Sequence, residues 1–83
     1  MVAWEYALLV RRREPEGQRW RLAFVWYGPD GSKRDVTALG DTAVAHLNRV
    51  GADGWELVSA SEDINNLETS SEVYRYHMKR PVG

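Results

Sequence analysis

GADGWELVSA, residues 51–60, decides how this chain folds, because a helical pattern runs into it and a strand pattern runs out of it. Upstream, Ala43, Val44, Leu47 and Val50 recur at helical spacing, with Asp41 placed to cap the first turn. Gly51 suits the left-handed position that ends a helix, and Gly54 permits a close turn. Trp55 and Leu57 then alternate with Glu56, Val58 and Ala60 as a strand whose apolar residues point under the helix.

Working outward, the segment before the helix predicts three strands. Trp4, Tyr6, Leu8 and Val10 alternate with Glu5, Ala7 and Leu9, and residues 14–18 (EPEGQ) form a loop. RWRLAFVWY, residues 19–27, sets Trp20, Leu22, Phe24 and Trp26 against Arg21, Ala23, Val25 and Tyr27. GPDG, residues 28–31, supplies a hairpin into a short third strand near residues 33–37. After the helix and fourth strand, residues 62–71 are a polar connection with Ile64 and Leu67 as anchors. A last strand, residues 72–80, places Tyr74, Tyr76 and Met78 on one face, and Pro81 stops it. The predicted fold class is α+β: a small antiparallel sheet of four to five strands in the order β-β-β-α-β-β, with one helix packed on one face. It is not the βαββαβ order of an RNA-recognition fold. Residues 1–83 form a single domain.

Composition narrows the function classes. Apolar residues make up 43% of the chain and include four Trp, enough to fold, yet 83 residues bury a modest core, so help from a partner subunit is expected. The absence of Cys excludes disulfides, thiolate catalysis and cysteine-ligated zinc. The start resembles neither a secretory signal nor a membrane span, so a cytoplasmic location is expected. Charge is uneven: residues 1–40 carry seven basic against five acidic groups, 41–72 one against seven, and 73–83 three against none. This dipolar distribution argues against nucleic acid as a partner and is compatible with docking between copies of the chain.

WEYALLV near the start, LNRVGADGWELVSA in the middle and YRYHMKRP at the end, taken together, resemble a family of short bacterial domains of unknown function marked by a WEY opening, a GxxGWELV centre and a KRP close. The resemblance implies a sheet-plus-helix fold and brings no chemistry with it.

If the helix covers the aromatic side, the opposite side collects Glu5, Ala7, Leu9, Arg21, Ala23, Val25, Glu56, Val58, Ala60, Arg75 and His77. A mixed face of this kind serves as a surface between identical copies, as a solvated face or as a ligand platform. The expectation is a non-enzymatic, self-associating interaction or regulatory module, a homodimer or larger, which also admits another protein as partner. Its interface would be Leu9, Val25 and Val58, with Glu5, Glu56, Arg21 and Arg75 as charged partners. The alternative is a binder of a small anionic or nucleotide-like ligand at Arg11, Arg12, Arg13, Arg19 and Trp20. Glu5, Glu56 and His77 could be set out as an acid–base trio, but cross-strand pairs with Arg21 or Arg75 account for the same residues. His46 is expected half-exposed on the helix. No cofactor and no metal is implied, since the two histidines lack ligand spacing.

Overall fold

The computed structural model describes residues 2–63 and 73–82, with side chains described to Glu62 and from Val73. Five strands, β1 (Ala3–Glu16), β2 (Arg19–Tyr27), β3 (Lys33–Asp35), β4 (Glu56–Asp63) and β5 (Val73–Val82), form one antiparallel sheet in the order β3-β2-β1-β5-β4. A 3-10 turn (Thr37–Leu39) and one helix, α1 (Ala43–Gly51), lie between β3 and β4. The element order is the one the sequence predicts. The predicted anchors Ile64 and Leu67 lie outside the described residues.

Several local readings change. β1 and β2 run on through residues 14–16 to a tight turn at Gly17, whose φ of +62° only glycine adopts without strain. Thr42, not Asp41, caps α1: its Oγ1 accepts from the Ala45 N–H at 3.1 Å. Gly51 is the last helical residue rather than a left-handed terminator, and Gly54 takes the positive φ (+93°). There the Gly54 N–H donates to the Gly51 carbonyl, and the Trp55 N–H to Val50. Pro81 does not stop β5. It pairs with Trp4 at a level that β4, beginning at Glu56 opposite Lys79, does not reach, so on the β4 side its missing N–H interrupts no ladder.

The helix packs Val50, Leu47 and Ala43 onto the sheet over Ala7 and Leu9 of β1 and their neighbours on β2 and β5. Leu9, Phe24 and Val36 form one buried cluster, and Ala7, Val50, Trp55 and Met78 form a second. Trp26 packs against both and meets Trp55 edge to face at 5.4 Å. Val44, expected in the apolar stripe, is 65% exposed, and its place is taken by His46, which is fully buried. Positions 43, 46, 47 and 50 share a helix face, whereas 44 is turned away from it.

Candidate functional site

Cross-strand pairing fixes which side chains share a face, because directly opposed residues project the same way. Leu9 stands opposite Trp26 on β2 and Tyr76 on β5, and Ala7 stands opposite Met78, so these two residues of β1 lie beneath the helix. The expected facing of β1 is therefore inverted. Leu9 is 0% exposed and belongs to the core, not to an interface. Ala7 is buried with Val50, Trp55 and Met78 where the helix closes on the sheet. The aromatic set Trp4, Tyr6, Leu8 and Val10 faces the other way.

That other, helix-free face has a clear layout. Its centre is Leu8 and Val10 on β1, Tyr27, Val25 and Ala23 on β2, and Val73 on β5, with Trp4 and Tyr6 at the end nearest Pro81. Tyr6 is 62% exposed and Trp4 41%. Along β5 the same face carries Arg75, His77 and Lys79, and β4 adds Glu56, Ser59 and Ser61. Several charges are satisfied within the chain: Arg12 pairs with Glu14 at 3.8 Å, Arg21 with Asp35 at 3.9 Å, and Lys79 Nζ sits 4.2 Å from the Trp4 ring centre. The Asp35 carboxylate also accepts from the Thr37 hydroxyl at 2.6 Å and from its N–H at 2.9 Å, which hold its pKa below the usual aspartate value.

Of the expected interface, Val25, Arg21, Arg75 and Glu56 do share this face, whereas Glu5 lies on the helix side. Val58 falls in a bulge between Leu57 and Ser59 that shifts the register of β4 and sends Ala60 to the helix side, opposite Tyr76. Leu57, expected beneath the helix, is half-exposed. The acid–base trio is not assembled: Glu5 is on one face and Glu56 on the other, and Glu56 pairs with Lys79 while His77 pairs with Ser59. The RRR run splits as strand alternation requires. Arg11 stacks on Tyr74 at 4.7 Å and Arg13 on Trp20 at 4.5 Å, both on the helix side beyond the helix, while Arg12 and Arg19 face the opposite way.

The three sequence motifs meet on one side chain. Arg80 of KRP forms an ion pair with Glu5 of WEY, donates to the Asp53 carbonyl at 3.1 Å, and stacks on Trp55 of GWELV at 4.4 Å. A shallow cleft lined by Glu5, Asp53, Gly54, Arg80, Pro81 and Val82 opens beside it. The guanidinium thus fastens the paired first and last strands to the helix exit, and the motif residues read as architecture.

Helix and sheet are also joined at His46. Its ring lies against Phe24 with centroids 4.2 Å apart. Nε2 is 3.0 Å from the Gly40 carbonyl, and Nδ1 is 3.2 Å from Arg49 Nη2. A carbonyl only accepts and a guanidinium only donates, so the ring is the neutral tautomer with its proton on Nε2. Burial, with Arg49 adding a smaller push, lowers its pKa, against the pull of the Gly40 hydrogen bond. Helix position alone had placed this residue half in solvent, and no pattern around it signalled otherwise.

Among the described residues no group of three or more His, Asp or Glu could hold a metal ion, and no helix is long and apolar enough to cross a membrane. No known family model and no curated protein matches the chain.

Proposed function

We propose that the chain is a non-enzymatic, self-associating interaction module of the short bacterial domain type its motifs suggest, and that two copies pack through the helix-free face of the sheet. One observation carries this reading: the single helix covers part of one face of the sheet, while the helix-free face presents an apolar set in which Tyr6 and Trp4 are exposed, Leu8, Val25, Tyr27 and Val73 are half-buried, and Val10 and Ala23 are buried beneath their neighbours. Strands of 14, 9, 3, 8 and 10 residues, at ~3.3 Å per residue and ~4.8 Å apart, give the whole face roughly 700 Å², close to the ~800 Å² each partner contributes to a standard interface. The charges around its centre are largely paired within the chain, which favours a second apolar sheet over a polyanion. Edge-to-edge association is less favoured, because β3 has three residues and β4 is interrupted by a bulge. The corrected interface keeps Val25, Arg21, Arg75 and Glu56 and replaces Leu9 with Leu8, Tyr6 and Tyr27. An anion site built from all five of Arg11, Arg12, Arg13, Arg19 and Trp20 has less support, since those residues divide between two faces.

Sedimentation equilibrium tests the reading. Wild type should form a dimer or larger species at micromolar concentration, and Tyr6→Glu, at an exposed position that leaves the core intact, should be monomeric. A wild type that stays monomeric at high micromolar concentration would return this face to solvent.

A further inference from the structure

The same face carries a titratable group near its middle. His77 is exposed and stands between Leu8 of β1 and Ser59 of β4. On its own strand Arg75 and Lys79, two residues away on either side, project from the same face. From β4 come Ser61 opposite Arg75 and Glu56 opposite Lys79. From β1 come Tyr6 and Val10 on either side of Leu8, and beyond them lie Tyr27 of β2 and Lys33 of β3. Among the described residues, the charged groups around the ring are thus Arg75, Lys79 and the Glu56 carboxylate, with Lys33 and Asp35 of β3 farther off. A neutral imidazole here is a flat, half-apolar group that a second sheet can cover. An imidazolium would add a charge between Arg75 and Lys79, and covering it with a second sheet would strip its water.

We propose that His77 makes self-association pH-dependent: copies of the chain join face to face while the ring is neutral and separate as it gains a proton. This rests on the reading of the face as a self-association surface. Histidine is the side chain whose ordinary charge change falls between pH 5 and 8, and carboxylates stay largely ionised above about pH 5.5, so a response between pH 5.5 and 7.5 points to a histidine. The chain has two. His46 is sealed on the opposite side of the sheet, so a single variant at position 77 distinguishes them.

The sign follows from proton linkage. A proton that binds the separated chain more tightly than the assembled one raises the dissociation constant as pH falls, by at most about 100-fold per pH unit when two subunits each take one. Sedimentation equilibrium at pH 7.5 and 5.5, with near-ultraviolet circular dichroism confirming an unchanged fold, should show a rise in Kd of about tenfold or more for wild type. His77→Gln, uncharged throughout, should dimerise with the same Kd at both pH values, and His77→Lys should be weak at both. A wild-type dimer indifferent to pH, or a His77→Gln protein that keeps the full pH response, would overturn the role of His77 and leave the face as an interface. A wild type monomeric at both pH values would overturn the interface and this inference with it.

Discussion

Leu8 and Leu9 are neighbours of the same residue type on one strand, and they lead different lives. Leu9 is sealed between Trp26, Tyr76 and the helix, whereas Leu8 lies on the helix-free face among Tyr27, His77 and Tyr6. Both faces of β1 are apolar, so residue type does not say which is the inside. What says it is the nine-residue helix, about 13 Å long, which covers only part of one face. In a domain this small the second apolar face must answer to water or to a partner, and that is the physical root of the proposed assembly.

The sharpest way to break this contrast is to cut away atoms on each side. Phe24→Ala and Trp55→Ala should each cost on the order of 3–5 kcal/mol in urea unfolding, because both rings fill the space under the helix. Leu9→Ala should cost about 2–5 kcal/mol, and Leu8→Ala markedly less when measured at concentrations too low for assembly. Equal losses at positions 8 and 9 would erase the distinction between the faces.

Acid sharpens the comparison next. His46 on the covered side has a folded-state pKa below the ordinary 6.5, caused first by burial and then by Arg49. The unfolded chain therefore binds more protons in the interval between the two values. This contribution is fully favourable above 6.5 and is lost as pH falls from there through the folded-state value. Urea unfolding of the monomer from pH 7.5 to 5 should show declining stability in wild type and a flatter profile in His46→Gln. Identical profiles would mean that His46 does not carry the titration.

Glycines give the smallest effects. Gly54, at φ +93°, should lose about 1 kcal/mol on substitution by Ala, and Gly17, at φ +62°, a similar amount. Gly51 lies in the helix with open space around it, so Gly51→Ala should gain roughly 0.5–1 kcal/mol of thermal stability. A left-handed Gly51, as the sequence suggests, would lose stability on the same substitution instead. A destabilised Gly51→Ala would place the helix end one residue earlier.

Element types and order were legible in the sequence because the periods are strong. Strand alternation is clean in β2 and β5, and the facing predicted for both matches the structure. It failed in β1, where Glu5 suggested a solvent side but is balanced by Arg80 from the far end of the chain, a contact no local pattern encodes. It failed in the second half of β4, because a bulge inserts one residue and inverts the alternation after Val58. For the candidate site the result was that Val25, Arg21, Arg75 and Glu56 could be found in advance, whereas Tyr6, Leu8 and Tyr27 required the register.

The strand order bears on the timing of folding. β5 lies between β1 and β4, so the centre of the sheet joins the first strand of the chain to the last, as in the pairing of Ala3 with Val82. A chain emerging from the ribosome can form the β1–β2–β3 meander early, but β4 has no neighbour to pair with until β5 arrives, and Arg80 reaches Glu5 only then. Closure so late and so non-local predicts slow folding for a domain of this size, with the meander's apolar surfaces uncovered in the interval.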